Sequence, residues 1–255
     1  MSIESFGDRM KAYEHAAATV LFQGCPKVIR LDGKSFGTFL KTAKKPYDKA
    51  VVESLALATQ AVMKEIGGSA RFAFVASDEI SIVINDRISL GFDPWFGNQV
   101  QKMVSVSASM MTANFNAAYS TFRTDSLSSL AYFDARVFAL PDIMEMTNNM
   151  IWRQQDTTRN SISQYGRSMF PHKEMQGKSC AELLDMMMLQ KQFNWNDTPT
   201  WTKRGVVIYK EKGKSITERG GWKVDYEIPI FTQDRDYLTN LYVVPEPEEE
   251  ILVKE

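Results

Sequence analysis

Hydrophobic and polar positions over the first 140 residues switch between two periods. Lys27-Val28-Ile29-Arg30-Leu31 is a short apolar run closed by Asp32-Gly33, which predicts a strand. Over residues 48–66 the apolar groups Val51, Leu55, Ala58, Val62 and Ile66 fall at steps of three and four, one face of a helix that Gly67-Gly68 ends. Residues 70–86, ARFAFVASDEISIVIND, read as two strands, 71–76 and 80–85, meeting at Ser77-Asp78-Glu79. That turn lacks an Asn-Gly pair, so the β-branched and aromatic content carries the reading. Asp93-Pro94 predicts an N-cap followed by Pro at the first position of a second helix, about 95–119. LAYFDARVFAL at 130–140 reads as a fourth strand stopped by Pro141.

The order β-α-β-β-α-β predicts an α+β fold with a ferredoxin-like core over 1–140. Residues 141–255 then form a helical and β-hairpin extension. A helix is expected at 142–165 and another at 180–192, where Ser179 and Glu182 spell a capping box. Strands are expected at 205–210 and 224–231. The tail VVPEPEEEILVKE is acidic and broken by proline, and reads as flexible.

In such a sheet strands one and two run the same way, and strand three lies beside strand one. The end of strand one, at Asp32, and the tip of the hairpin, at Asp78, therefore share one end of the sheet. Two carboxylates within reach of each other suit Mg²⁺, which takes hard oxygen ligands and keeps positions open for water and phosphate. A pair of such ions can serve phosphoryl transfer. Each aspartate taken singly is equally an ordinary turn residue; their shared placement favours the metal reading.

Composition narrows the class. The 255 residues are 44% hydrophobic and 24% charged, ordinary for a globular chain, with one large domain or one domain and an extension. No uncharged apolar run spans a membrane, and the N-terminus MSIESFGDRMKAYE lacks the apolar stretch of a secretory signal. Two cysteines, Cys25 and Cys180, make no disulfide framework, and a reducing cytoplasm is expected. Two histidines, His15 and His172, speak against a structural zinc site and a His-based triad. The net charge is −1, so any nucleic acid must meet a local basic patch.

Two phosphate-loop endings fail. Gly33-Lys34-Ser35 and Gly177-Lys178-Ser179 have Val28 and His172 where a P-loop needs glycine. The turn Gly33 to Gly37 can still offer N–H groups and one lysine to a triphosphate. Arg71 to Val75 looks like part of an RNA-recognition strand but lacks its glycine and final aromatic, so Phe72 and Phe74 read as core. Residues 201–223 carry Lys203, Arg204, Lys210, Lys212, Lys214, Arg219 and Lys223, with Trp201, Tyr209 and Trp222 between them. That mixture suits an RNA backbone and its bases, or a solvated hairpin edge. Arg153 and Arg159 can pair phosphates or decorate a helix surface. Met186, Met187 and Met188 read as core filler.

The ordered set of motifs resembles the tRNA-His guanylyltransferase superfamily, which adds nucleotides to the 5′ end of tRNA in the 3′-to-5′ direction. The matching segments are GDRMKAYE at 7–14, RLDGKSFGTF at 30–39, KKPYD at 44–48, SDE at 77–79, YFDARV at 132–137, WRQQD at 152–156 and TKRGVVIY at 202–209. The resemblance implies a palm-type core with two Mg²⁺ ions on Asp32 and Asp78 and the Gly33 carbonyl, with Glu79 beside them. It implies nucleotide binding by Lys34, Ser35, Phe36 and Gly37, by Lys45, Asp48 and Ser77, and by Lys102. It links Arg136, Arg153 and Asn160 to nucleotide or tRNA contact; Arg159, Lys203 and Arg204 are further RNA candidates. It also implies ATP or GTP as substrate, tRNA as partner and a homotetramer.

The implied chemistry has three steps. ATP or GTP caps a 5′-monophosphate, the 3′-hydroxyl of an incoming nucleotide attacks the activated end, and a remaining triphosphate can be trimmed. The chain departs from the eukaryotic pattern. Thr157-Thr158-Arg159-Asn160-Ser161 stands where those enzymes carry C-H-I-N-N, Gly37 stands at a family histidine, and Gly97-Asn98-Gln99 replaces basic residues. These changes look like the bacterial, archaeal and phage relatives that repair truncated tRNA ends by templated addition. A tRNA-His guanylyltransferase proper, a palm-fold nucleotide cyclase and a non-catalytic RNA-binding protein are the alternatives.

Overall fold

A computed structural model describes residues 5–87, 93–122, 129–211 and 220–243. The elements in chain order are α1 (Phe6–His15), β1 (Lys27–Gly33), α2 (Phe36–Phe39), α3 (Lys49–Ile66), β2 (Ala70–Ala76), β3 (Glu79–Ile84), α4 (Val100–Thr121) and β4 (Phe133–Ala139). They continue as α5 (Ile143–Met169), α6 (His172–Met175), α7 (Cys180–Lys191), α8 (Thr200–Arg204), β5 (Val206–Lys210), β6 (Trp222–Asp225) and α9 (Asp236–Tyr242).

The six strands among the described residues form one antiparallel sheet in the order β4-β1-β3-β2-β5-β6. The first four strands have the ferredoxin-like order, and β5 and β6 of the second half extend the same sheet beyond β2. Period-two alternation sorts β1 onto two faces. Ile29 and Leu31 join α3 and α4 in one core, with Leu55, Val62, Met111 and Phe115. Val28 faces the other way and packs with Phe72, Phe74 and Val83 against Met146 and Met150 of α5 and Leu238 of α9. Arg30 and Asp32 share the α5 side with Val28, so the polar end of β1 looks toward α5. A third cluster, around Ile162, Tyr165, Leu183 and Met187, joins the far half of α5 to α7.

At the opposite end of the sheet lies a buried ion pair. Lys27 Nζ sits 2.6 Å from Asp86 Oδ2, with the two side chains 0% and 1% exposed. Asp86 also accepts from the Gly24 N–H and from Asn98 Nδ2. Burial opposes ionisation of Asp86, but these donors and the Lys27 charge outweigh it and hold the carboxyl below the usual carboxylate range.

Several boundaries differ from the sequence reading. Asp93-Pro94 does not start the long helix: a 3-10 turn over Trp95–Asn98 intervenes, with Phe96 and Gly97 left-handed. Asn98 is drawn to Asp86, and α4 begins only at Val100, whose N–H donates to the Thr19 carbonyl. The fourth strand starts at Phe133, leaving Leu130 and Tyr132 exposed. The expected 224–231 strand is Trp222–Asp225; beyond it the Phe231 N–H donates to Gln154 Oε1 instead of a strand neighbour. The helix expected to stop at 165 runs to Met169, a length of roughly 40 Å. The Ser179–Glu182 capping box is formed, Phe72 and Phe74 are buried, and so is Met187, but Met188 is exposed. Lys212, Lys214, Arg219 and most of the acidic tail lie outside the described residues.

Candidate active site

Antiparallel register sets the site. β1 and β3 pair with Asp32 opposite Glu79, and β1 and β4 pair with Asp32 opposite Asp134. The β2–β3 turn turns sharply because Ser77 is left-handed, with φ of 57°. It is pinned to β1 by the Gly33 N–H, which donates to the Asp78 carbonyl at 3.1 Å. Asp32, Asp78 and Glu79 thus converge at one end of the sheet and line one cavity.

The turn after β1 is built on aromatics. Lys34 N–H donates to the Tyr132 carbonyl and Ser35 is left-handed. Phe36 then drops into a cluster with Phe39, Phe115 and Phe133, its ring centroid 5.2–5.4 Å from theirs. A β-carbon on Gly33 would stand 2.3 Å from the Phe36 ring, so this position needs glycine.

Two cavities adjoin here. The first, about 480 Å³, is largely apolar and lies between the Phe36–Asp48 segment and α8, with Lys44, Lys45, Asp48 and Ser77 on its walls. The second, about 340 Å³, is polar and runs from Asp32, Asp78 and Glu79 to Arg153, Asp156, Thr157 and Asn160 of α5. Tyr47, Ser77, Asp78, Gln164, Arg167 and Trp201 border both.

Glu79 is held from two sides. Arg30 on β1 forms an ion pair with it, and Arg153 Nη1 lies 3.3 Å from its Oε1. The Arg153 guanidinium stacks over the Trp152 ring, 4.1 Å from the centroid, and its Nη2 bonds Asp156 at 2.9 Å. Burial pushes the Glu79 carboxyl up, and the charges of Arg153 and Arg30 pull it part of the way back. Burial also raises Asp78; the Ser77 hydroxyl opposes this and the nearby Asp32 charge adds to it.

Asp32 and Asp78 with the Gly33 carbonyl offer hard oxygens to a cation. Among the described residues no three His, Cys, Asp or Glu side chains form a closed metal cage. An open two-carboxylate site fits Mg²⁺, which completes its shell with water and phosphate.

Of the expected nucleotide-binding residues, Gly37, Lys45, Asp48 and Ser77 line the first cavity, as does the edge of the buried Phe36; Lys34 and Ser35 lie in the adjoining turn. Lys45 Nζ donates to the Leu40 carbonyl, and Asp48 caps α3 by accepting from the Ala50 N–H. Lys102 is not brought to the site: it lies in the first turn of α4, at the Lys27–Asp86 end of the sheet. Asn160 lines the second cavity, whereas Arg159 is exposed and paired with Asp156. Arg136 stays on the edge strand, exposed and 3.7 Å from Asp134. Lys203 is buried with its Nζ donating to the Asn196 carbonyl, and Arg204 donates to the Ile228 carbonyl. Neither lines either of these two cavities; both are turned by α8 toward neighbouring backbone. Tyr47, Gln164 and Arg167 were missed as individual site residues. For Gln164 and Arg167 the signal is the step of three and four from Arg153 through Thr157 and Asn160, which puts these side chains on one face of α5. Tyr47 sits inside the KKPYD segment, before α3.

The fold is shared with known proteins. A family model described as tRNAHis guanylyltransferase matches residues 7–141. A bacterial tRNA(His) guanylyltransferase-like protein solved in complex with ATP superposes with a TM-score of 0.85 at 40% identity, over 94% of this chain and all of that one. A similar bacterial protein in complex with GTP gives 0.79 at 36% identity, over 93% of this chain and 99% of that one. Curated relatives include a mimivirus protein, 27% identical over 82% of this chain and 78% of its own length. The tRNA(His) guanylyltransferase of Saccharomyces cerevisiae is 23% identical over 75% of this chain and 85% of its own. The chain belongs to the tRNAHis guanylyltransferase family of nucleotidyltransferases.

Proposed function

We propose that this protein adds nucleotides to the 5′ end of tRNA in the 3′-to-5′ direction, as a template-directed repair of truncated ends. The observation that carries the reading is the junction of two cavities at Asp78, one apolar and one polar. An apolar cavity with basic groups at its rim suits the base and phosphates of ATP or GTP. A polar cavity with Asn160 and the arginines of α5 suits the RNA end and the incoming nucleotide.

The first cavity holds the activating nucleotide with its α-phosphorus at Asp78. An oxygen of the RNA 5′-phosphate attacks that phosphorus, and the bond to the bridging oxygen breaks, releasing pyrophosphate. The 3′-hydroxyl of the incoming nucleotide then attacks the 5′-phosphorus of the capped RNA, and the nucleoside monophosphate leaves. Asp32, Asp78 and the Gly33 carbonyl would hold two Mg²⁺ ions, whose charge acidifies the attacking group and neutralises the leaving phosphate. Lys34, Ser35 and Gly37 present the turn to the triphosphate. Glu79, held by Arg30 and Arg153, fixes the wall beside the aspartates.

A homotetramer and a cytoplasmic location belong to the same reading. Phe6, Tyr13 and Phe22 in and after α1 are 69–85% exposed, an apolar surface that supports self-association. Among the described residues no helix is long and apolar enough to cross a membrane.

Asp32→Asn and Asp78→Asn test the reading. Each is expected to lower nucleotide transfer by at least about 1000-fold, with RNA binding largely retained. Either variant transferring nucleotide at the parent rate would sink the two-aspartate mechanism and favour a non-catalytic RNA-binding protein.

A further inference from the structure

Carboxylates outnumber cations on the walls of the second cavity, although Arg30 and Arg159 also pair Glu79 and Asp156 from outside it. Its walls hold four carboxylates, Asp32, Asp78, Glu79 and Asp156, and two cations, Arg153 and Arg167. Arg153 is already committed, at 3.3 Å from Glu79 and 2.9 Å from Asp156. Arg167 makes no ion pair or hydrogen bond with any described residue. It is therefore the one uncommitted cation lining that cavity among the described residues. It also borders the first cavity, so it stands with Asp78 along the junction of the two.

An exposed helical arginine is commonly just a solvated charge. Three features argue otherwise here. Arg167 continues the stripe of α5 that begins with Arg153 and passes through Asn160 and Gln164. It is the only cation among the six residues shared by both cavities. And a phosphate reaching the junction meets Asp32 and Asp78, which form no ion pair with a described residue, so a free positive charge beside them favours its entry.

We propose that Arg167 contacts the phosphates that meet at this junction: the α-phosphate of the nucleotide in the first cavity and the 5′-phosphate of the RNA in the second. The inference rests on the functional reading above. Arg167 stays protonated and makes or breaks no bond. Its forked N–H groups bind two phosphate oxygens at once, which a lysine cannot do. That charge opposes the negative charge that builds as the attacking oxygen approaches and the leaving oxygen departs.

The test compares the parent protein with Arg167→Ala and Arg167→Lys. The rate of capping of a 5′-monophosphorylated tRNA is followed in a single turnover, alongside equilibrium binding of ATP and of adenosine. Arg167→Ala is expected to lower the single-turnover rate about 100-fold. It is also expected to weaken ATP binding several-fold and to leave adenosine binding and the melting temperature unchanged. Arg167→Lys is expected to recover at least about tenfold of the lost rate, since it restores the charge without the fork. Equal rates and equal ATP binding in Arg167→Ala and the parent would overturn the assignment. So would parallel losses in adenosine binding and melting temperature, which would mark Arg167 as structural. A parent protein that never caps RNA defeats the functional reading, whereas an active parent with an unaltered Arg167→Ala defeats only this assignment.

Discussion

Arg153 links Glu79 to Asp156: its Nη1 lies 3.3 Å from the Glu79 carboxylate and its Nη2 2.9 Å from that of Asp156. One guanidinium, 7% exposed, thereby ties α5 to the end of the sheet where Asp32 and Asp78 meet. Lysine in its place cannot reach both carboxylates with parallel N–H groups. Arg153→Ala removes one of the two cations that face Glu79, with Arg30 remaining, and should cost about 1.5–3 kcal/mol of stability, the range for hydrogen bonds to charged groups. Arg153→Lys should stay folded, with a smaller loss, and transfer nucleotide at least about tenfold more slowly. Urea denaturation and single-turnover kinetics on both variants check this. If Arg153→Lys matches the parent in both, the clamp contributes nothing.

Gln154 serves a different end from its neighbour. Its Nε2 donates to the Pro229 carbonyl at 2.9 Å, and its Oε1 accepts from the Phe231 N–H at 2.8 Å. It is 5% exposed, so Gln154→Ala leaves the buried Phe231 N–H and the partly buried Pro229 carbonyl without this partner. A loss of about 2–4 kcal/mol is expected, with nucleotide affinity unchanged in the folded fraction. Hydrogen exchange at the Phe231 amide should accelerate; an amide that stays protected would show that another acceptor takes over.

These two neighbours illustrate what was legible. The strand ends at Asp32 and Asp78 could be placed from alternation and topology, because burial on both faces of the sheet fixes the register. The roles inside WRQQD could not. Whether Arg153 meets RNA or Glu79 depends on how a 27-residue helix crosses the sheet, which spacing along the helix does not set. Lys203 and Arg204 read as basic and therefore as RNA contacts, yet α8 is a single turn that points them at the Asn196 and Ile228 carbonyls. Lys102 matches a basic family position on the second helix, yet the first turn of α4 places it at the Lys27–Asp86 end of the sheet. The delayed start of α4 follows from the pull of Asp86 on Asn98, a contact between residues that no local pattern links.

The Lys27–Asp86 pair should make stability pH-dependent. Asp86 is held below its unfolded value, so its contribution is complete above the usual carboxylate range. It is lost as the pH falls through the depressed folded value. Protonation also leaves the buried Lys27 ammonium without its partner. Asp86→Asn should therefore destabilise the protein by several kcal/mol near pH 7 (about 3–5) and flatten the acid side of its stability profile. Denaturation midpoints across the acid range check this; parallel profiles for parent and variant would remove Asp86 from the explanation.

The most direct measurement supplies Mg²⁺, ATP and each nucleoside triphosphate in turn to a 5′-monophosphorylated tRNA lacking its first nucleotide. Products are resolved to a single nucleotide. Addition of only the nucleotide that pairs with the opposing base is the expected result. Addition of G whatever stands opposite would instead assign tRNA-His guanylylation, and bound RNA that is never lengthened would contradict 5′-end addition outright.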